Sequence, residues 1–334
     1  MIISKTPFRM SFVGGGSDMP EFYGENEGAV LSTSIDKYMY IAIHKKFDGQ
    51  IRLSYSQTEE VLHASQIKHP IVKETLKLMG VSGGLEISSM ADIPSAGTGL
   101  GSSSSYTVGL LNALNAFRNQ YVSKEYLAKT ACEIEILKCG DRIGKQDQYA
   151  AAYGGLNLIK FLTDGSVVVE PVIVPPAVKM HLENSLLMFY TGVSRKASTI
   201  LNEQSNNITN SKSVSTLRAM VSLVHVMKKE LEAGKLDHFG SILHENWLLK
   251  KDLAVGVSND FIDAAYEAAI NAGALGGKLM GAGSGGFLLF YAPKYAHKKI
   301  SQALSPMRRV RFNFESAGSQ IIFFQPEDEE AFDD

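Results

Sequence analysis

Cysteine is scarce in this sequence. The 334 residues include two cysteines, Cys132 and Cys139, which lie on one predicted helix and its end. Their spacing suits neither a disulfide framework nor a zinc site. The eight histidines are scattered along the chain and form no HExxH motif. We therefore expect a protein of the reducing cytoplasm.

An excess of charge of one sign is also missing. Lys and Arg total 33 against 35 Asp and Glu, so the net charge is −2. This balance argues against a broad nucleic-acid surface, which needs clustered basic charge. The apolar runs, such as Phe287 to Ala292, are too short to span a bilayer. The N-terminal residues lack the apolar stretch of a signal peptide, so we expect a soluble, cytoplasmic protein without membrane or nucleic-acid partners.

The length and composition are those of an ordinary globular protein with a large core. Of the residues, 45% are apolar and 20% are charged, and at roughly 100–200 residues per domain the length predicts two domains. The dipeptide Pro175-Pro176 is the strongest boundary signal. It divides the chain into predicted domains 1–180 and 181–334.

Helical and strand-like patterns occur on both sides of this boundary, which predicts an α+β protein. Before the boundary, helices are predicted near 71–79, from Ser102, over 124–138 and near 146–153, and strands at Met10 to Val13, Tyr38 to His44, Gln50 to Ser54, Leu85 to Ser88 and Val167 to Val174. After it, helices are predicted near 195–208, 213–233, 237–251, 259–272 and 294–304, and strands near 186–190, 286–292, 308–314 and 319–324. The last residues, EDEEAFDD, are typical of a solvated acidic tail.

A glycine-rich loop precedes the helix that begins at Ser102. Gly97, Gly99 and Gly101 carry no side chains, so several backbone N–H groups can converge on an anion. Ser102 to Ser105 are predicted to cap the helix and to add hydroxyl donors, at a helix end that favours negative charge. These features predict a phosphate cradle. The alternative interpretation is a flexible loop followed by an ordinary serine cap.

Two further glycine clusters lie far from this loop in the sequence, one near residue 15 and one near residue 283. Gly281, Gly283 and Gly286 match GxGxxG, but the cluster is predicted to follow a helix and open a strand, which is the wrong context for a dinucleotide site. It is interpreted as a tight turn, and no Walker-type GxxxxGK[ST] motif occurs. Near the N-terminus, a strand that carries Arg9 runs into three glycines and reaches Asp18. Alone, that segment is typical of a turn with a surface salt bridge.

Together, the three segments and their order resemble the GHMP kinases, named for galactokinase, homoserine kinase, mevalonate kinase and phosphomevalonate kinase. Residues 7–18 are similar to the first family motif, 99–104 to the phosphate-binding second motif and 281–286 to the third. The segment GKQDQYAAAYGG, which starts at Gly144, is similar to the stretch in which many members hold a catalytic aspartate. The resemblance implies an N-terminal α/β domain and a C-terminal ferredoxin-like domain.

The resemblance implies an ATP- and Mg²⁺-dependent phosphotransferase. Asp147 is the implied base that accepts the proton of the attacking hydroxyl, and Arg9 neutralises charge beside it. Ser103 and Glu135 are the implied Mg²⁺ ligands, with Glu133 as a rival to Glu135. The alternative for either glutamate is a position on a solvated helix surface. The alternative for Asp147 is a role as a helix cap. The implied nucleotide contacts are Gly97, Thr98, Gly99, Leu100, Gly101, Ser102, Ser103, Ser104, Gly281 and Gly283. The implied substrate contacts are Gly16, Ser17, Asp18, Lys145, Arg195 and Lys196.

Within the family, these segments are most similar to bacterial kinases of D-glycero-D-manno-heptose 7-phosphate, which phosphorylate the anomeric hydroxyl on the route to GDP-heptose. Lys145, Arg195 and Lys196 are the implied partners of a distal phosphate, and Arg142 is a weaker candidate. Galactose is disfavoured, because Gly15 and Gly16 stand where galactokinases carry a glutamate and a histidine. The alternatives are a fucokinase-like enzyme, a non-catalytic sugar and ATP sensor, and a dinucleotide-dependent oxidoreductase. The implied partners are ATP and a small sugar phosphate, with a homo-oligomer left open.

Overall fold

The computed structural model describes residues 1–94, 97–192, 211–254 and 256–325. In this part of the chain two β-sheets, one of nine strands and one of four, are covered by helices. The helices are α1 (Pro20–Tyr23), α2 (Pro70–Leu78), α3 (Ser102–Phe117), α4 (Lys124–Cys132), α5 (Gln146–Tyr153), α6 (Pro176–Ser185), α7 (Ser211–Glu232), α8 (Phe239–Lys251), α9 (Asp260–Asn271) and α10 (His297–Ala303). None of these described helices is long and apolar enough to cross a membrane.

The strands of the larger sheet come from both ends of the chain. They are β1 (Ile2–Val13), β2 (Gly28–Lys45), β3 (Ile51–Ser54), β4 (Thr58–Val61), β5 (Leu85–Ala91), β6 (Leu156–Phe161), β7 (Val167–Pro171), β12 (Phe314–Glu315) and β13 (Gln320–Phe324). The smaller sheet holds β8 (Leu186–Tyr190), β9 (Gly276–Leu279), β10 (Phe287–Tyr291) and β11 (Arg308–Val310).

A long antiparallel pair, β1 and β2, forms the centre of the larger sheet. Its register runs from Ile2 opposite Ile43 to Val13 opposite Leu31. Helix α3 lies across both strands, and it packs closely because Gly109 has no Cβ, which would lie 2.9 Å from the Thr6 hydroxyl oxygen. This packing holds the N-terminus of α3 beside the end of β1, where the candidate site lies.

The smaller sheet confirms the expected ferredoxin-like arrangement. Its strand order is β11-β8-β10-β9, and the neighbouring strands are antiparallel. In chain order this is 4-1-3-2, with helices between the first and second strands and between the third and fourth. The α+β class is therefore confirmed.

Most predicted elements are present, and several bounds agree. Helix α5 and strand β8 have the predicted bounds, and the predicted helix over 124–138 is α4 followed by a π-helical stretch, Glu133–Lys138. The predictions named none of α1, α6, β4, β6 and β9, and they missed the first part of β1 and the first half of β2. The predicted helix near 195–208 and the acidic tail lie outside the described residues.

The division at residue 180 stays a prediction. Residue 180 lies within α6, and β12 and β13 return to the larger sheet, where β13 pairs with β1. The last described strands thus complete the sheet that the first strand begins.

We predict that Leu111→Ala lowers the free energy of unfolding by about 2–5 kcal/mol, because it leaves a cavity in the core that packs around α3. Leu111 is fully buried, whereas Leu137 is 74% exposed and serves as the control. The change for Leu137→Ala should stay within about 0.5 kcal/mol. Urea unfolding of both variants tests this, and equal effects would contradict the described packing of α3.

Candidate active site

A cleft of about 950 Å³ brings the predicted motifs together. Its walls come from the glycine turn after β1, the loop and first turn of α3, the segment before α5, the last turn of α8 and the turn between β9 and β10. Segments that lie more than 250 residues apart in the chain therefore face one space. Of the residues predicted for the site, those that line the cleft are Arg9, Gly16, Asp18, Gly97, Thr98, Gly99, Gly101, Ser102, Ser103, Ser104, Asp147 and Gly281.

The N-terminus of α3 opens onto the cleft and begins at a glycine. Gly101 is the N-cap residue, in a left-handed conformation with φ +73°, and as a glycine it offers no side-chain acceptor to the first amides. The predicted serine cap is therefore wrong. The Ser104 hydroxyl donates to Glu135 (2.8 Å) and the Ser105 hydroxyl to the Pro7 carbonyl (2.8 Å). Because the first amides of a helix need acceptors, this end can take the oxygens of an anion.

The two glycine clusters that flank the cleft touch each other. A Cβ on Gly99 would lie 2.4 Å from the Met280 carbonyl oxygen, and a Cβ on Gly281 would lie 2.3 Å from the Gly99 Cα. A Cβ on Gly286 would lie 2.4 Å from the Thr98 carbonyl oxygen. The third motif thus supports the phosphate loop by backbone contact.

The third motif was predicted to follow a helix, and this prediction is wrong. The motif follows strand β9 and joins it to the antiparallel strand β10. A dinucleotide site remains excluded, because a strand and not a helix follows the glycines.

Asp147 is held at the cleft by Arg9. The Arg9 Nε donates to Asp147 Oδ1 (2.7 Å), Nη2 lies 2.6 Å from the same oxygen, and Nη1 donates to the Gly99 carbonyl (2.7 Å). The Asp147 side chain, in the first turn of α5, is 27% exposed. Arg9 is 4% exposed, so the pair is no surface salt bridge. The arrangement leaves Asp147 accessible from the cleft while its charge is balanced.

Asp18 lies beside this pair and is almost fully buried. It accepts from the Gly16 amide (3.1 Å) and from the backbone and side chain of Gln146. Burial, and then the negative charge of Asp147, raise the pKa of Asp18. Its carboxylate is therefore positioned to hydrogen-bond a polar ligand in the cleft.

Glu135 and Ser103 lie together at the start of α3. Glu135 is fully buried, and it accepts from the hydroxyls of Ser103 (3.2 Å), Ser104 (2.8 Å) and Thr107 (2.8 Å) and from the Gln148 amide. Burial raises the pKa of Glu135 to about 7.

A carboxylate and a hydroxyl beside a phosphate loop are oxygen ligands of the type that Mg²⁺ takes, since the ion keeps several waters and binds few protein groups. The residues present therefore fit the ion. The rival Glu133 is 41% exposed and pairs with Lys138 (3.4 Å), so the geometry favours Glu135.

Four predicted contacts do not line the cleft. The side chain of Leu100 is buried in the core and its carbonyl accepts from the Arg9 amide (3.1 Å). Ser17 donates to the Gly14 and Ala29 carbonyls, Gly283 packs on Val257, and the Lys145 ammonium donates to the Gly165 carbonyl (2.6 Å). These residues support the site rather than face a ligand.

Of the other basic candidates, Arg142 lines the cleft and is exposed. Arg195 and Lys196 lie outside the described residues. The segment 141–144 that carries Arg142 reaches Asp18, since a Cβ on Gly144 would lie 1.9 Å from an Asp18 carboxylate oxygen.

Sequence reasoning missed two groups that face the cleft. Lys250, in the last turn of α8, is buried there. Tyr55, His69 and Tyr106 form an aromatic cluster, with ring centroids 4.8 Å and 5.1 Å apart. No local motif indicates either group, since each becomes part of the site only through long-range packing.

Comparison with known proteins decides the family. Residues 67–155 match the model of the GHMP kinases N terminal domain, and residues 227–306 match that of the GHMP kinases C terminal domain. The chain is 30% identical over 319 residues to a D-glycero-alpha-D-manno-heptose 7-phosphate kinase of Campylobacter jejuni, with 91% of this chain and 93% of that protein covered. The chain belongs to the GHMP kinases.

Two further relatives place it within this family. It is 29% identical over 318 residues to a bifunctional fucokinase/GDP-fucose pyrophosphorylase of Arabidopsis thaliana, which covers 86% of this chain and 29% of that longer protein. The crystal structure of a D-glycero-D-manno-heptose 1-phosphate kinase from Bacteroides thetaiotaomicron superposes with a TM-score of 0.80 and 25% identity, over 97% of this chain and 100% of that one. Sugar kinases of the GHMP family are therefore its relatives.

We predict that Gly99→Ala weakens nucleotide binding at least tenfold, because the new methyl group meets the Met280 carbonyl and displaces the loop. Gly84→Ala is the control: Gly84 has a similar φ of +74°, and nothing lies within 4 Å of its Cβ position. Calorimetric titration with ATP compares the two variants. Unchanged affinity in Gly99→Ala would contradict a role of this loop in binding phosphate.

Proposed function

We propose that the protein is an ATP-dependent kinase that phosphorylates the anomeric hydroxyl of D-glycero-D-manno-heptose 7-phosphate. The product is heptose 1,7-bisphosphate, a step towards GDP-activated heptose. The observation that carries this proposal is the Arg9–Asp147 pair beside the glycine N-cap of α3, in one cleft. The match along nearly the full length of the Campylobacter jejuni heptose 7-phosphate kinase supports the choice of sugar.

The proposed mechanism assigns the proton to Asp147. Phosphoryl transfer needs mainly positioning and charge neutralisation. The carboxylate of Asp147 accepts the proton of the sugar hydroxyl, and an anomeric hydroxyl is acidic enough for a carboxylate of modest basicity. Arg9 orients that carboxylate and balances its charge. Asp18 accepts hydrogen bonds from other sugar hydroxyls.

The amides and hydroxyls at the start of α3 hold the phosphates of ATP. Ser103 and Glu135 would hold Mg²⁺, which when bound neutralises charge on the phosphate oxygens. Residues 97–104 approach the phosphates through backbone, because Gly97, Gly99 and Gly101 present no side chains to the cleft.

A fucokinase-like activity on an unphosphorylated sugar is the second candidate. The fucokinase relatives from Arabidopsis thaliana and Bacteroides fragilis, 29% and 30% identical, favour it. The two candidates differ in whether a cation binds a distal phosphate, and Arg142 is the described cation best placed for that role. A non-catalytic sensor is disfavoured, because an accessible aspartate and an intact phosphate loop face the same cleft.

We predict that Asp147→Asn lowers kcat by about 10²–10⁴-fold, because the amide cannot accept the proton. The affinity for ATP should change little, since the phosphate loop is intact. ADP release with heptose 7-phosphate, and NMR of the product, measure the effect. Asp164→Asn, in an exposed turn where the Asp164 carboxylate accepts from Ser166, should retain wild-type turnover. Near-normal turnover of folded Asp147→Asn would remove Asp147 from the mechanism.

We predict that Arg142→Ala raises KM for heptose 7-phosphate by about 10–150-fold, the effect of losing one charge-assisted contact with phosphate. Activity on the unphosphorylated sugar should not change. Lys145→Ala is the matched control, because the ammonium of Lys145 is bonded to the Gly165 carbonyl. If the KM values of Arg142→Ala for both sugars equal those of the wild type, Arg142 does not bind the distal phosphate. If the wild type prefers the unphosphorylated sugar, the fucokinase-like alternative replaces the heptose phosphate.

A further inference from the structure

Lys250 is a buried lysine that no motif of the family resemblance includes. It belongs to the last turn of α8, is 6% exposed and lines the cleft beside Arg9 and Asp147. Helix α8 is docked on the glycine turn after β1, where the Gly14 amide donates to the side chain of Asn246 (3.1 Å). Asn246 and Lys250 are four residues apart and therefore share one face of the helix.

An ordinary explanation accounts for the neighbouring lysine but not for Lys250. Cations in the last turn of a helix interact favourably with its dipole. Lys251 does this at the surface, 32% exposed and paired with Asp263 (3.2 Å). Among the described residues, no carboxylate lies within 4 Å of the Lys250 ammonium, and its hydrogen bond goes to the Gly281 carbonyl. A buried ammonium without an anionic partner costs free energy.

The position of this ammonium is set by the contact between the glycine clusters. Lys250 donates to the carbonyl of Gly281, whose backbone touches Gly99. Arg9 donates to the carbonyl of Gly99 (2.7 Å). Two cations, one from each half of the chain, therefore bond to two adjoining glycines, and one of these cations, Arg9, also bonds Asp147. An anion that enters there meets both cations.

We propose that Lys250 is a further catalytic residue, whose ammonium binds the phosphoryl group during transfer together with Arg9. This inference rests on the proposed kinase activity of the cleft. A fixed cation aimed at the phosphoryl oxygens stabilises the charge that they carry in the transition state. The second half of the chain would then contribute directly to the chemistry.

The charges around Lys250 set the pH range in which it acts. Burial and then the charge of Arg9 lower the pKa of Lys250 to about 8, while Asp18 and Asp147 raise it. Lys278, on β9, is also buried near it, and its pKa is lowered by burial and by the charges of Lys250 and Arg9. A bound phosphoryl group favours the protonated lysine. Binding of a nucleotide that reaches Lys250 should therefore weaken as the pH rises above 8.

The first test compares Lys250→Met with Lys251→Met. Without sugar and with Mg²⁺, calorimetry gives the affinities for ATPγS, which carries a third phosphoryl group, and for ADP, which does not. We expect Lys250→Met to weaken ATPγS binding by about 10–150-fold and ADP binding less than threefold. We expect kcat to fall by about 10²–10³-fold. Lys251→Met should match the wild type in all three measurements.

Three results would overturn the proposal. Equal losses for ATPγS and ADP would show that Lys250 only supports the loop through the Gly281 carbonyl. Unchanged affinities and kcat would show that it does not act at all. A selective rise in KM for the sugar phosphate, with ATPγS binding unchanged, would make it a substrate contact instead.

A second measurement needs no variant and stays informative if Lys250→Met does not fold. Between pH 7 and 9, the ATPγS affinity of the wild type should fall about tenfold relative to its ADP affinity, as a lysine with a pKa of about 8 deprotonates. Parallel pH profiles would contradict the proposal. If the wild type binds nucleotide but transfers no phosphate, the proposed function is refuted. The contact of Lys250 with the third phosphoryl group is then still tested, because ATPγS and ADP binding can be compared without turnover.

Discussion

The geometry of the cleft depends on Arg9. Its guanidinium is buried and bonds both the carboxylate of Asp147 and the carbonyl of Gly99, while its amide donates to the Leu100 carbonyl. A side chain at residue 101 would crowd this arrangement, because a Cβ there would lie 3.1 Å from the Arg9 Cγ and the residue has a φ of +73°. Removing either charge would leave the other poorly compensated. One ion pair therefore sets the place of the base, the path of the phosphate loop and the need for glycine at its end.

Much of the fold could be predicted from the sequence, because local patterns of apolar residues and glycines indicate where many helices and strands lie. The pair Gly154-Gly155 gives the end of α5, and a short apolar run gives β8. Strand β9 (Gly276–Leu279) was missed because two glycines open it, and glycine disfavours strands. Its glycines serve packing, since a Cβ on Gly277 would lie 2.4 Å from the ring of Phe290.

The candidate site was predictable only where residues lie within a motif. Asp147, Arg9 and the loop of residues 97–104 were indicated by their segments, and the structure brings them together. Lys250 could not be found in this way, because a lysine near the end of a helix usually needs no explanation beyond the helix dipole. Ser17 looked like a ligand contact, but its hydroxyl bonds the backbone of its own turn and of β2. The burial of a side chain and its hydrogen-bond partners distinguish a ligand contact from a structural residue. Neither property can be read from the local sequence.

The pairing of β13 with β1 has a consequence for how the protein is made. Ile2 lies opposite Phe324, so on the ribosome the first strand is synthesised more than 300 residues before its neighbour. Until then β1 is an edge strand, with unpaired amides and carbonyls that can pair with another chain. The larger sheet can be completed only after β13 has been synthesised. As long as β13 is missing, β1 is therefore open to pairing with another chain.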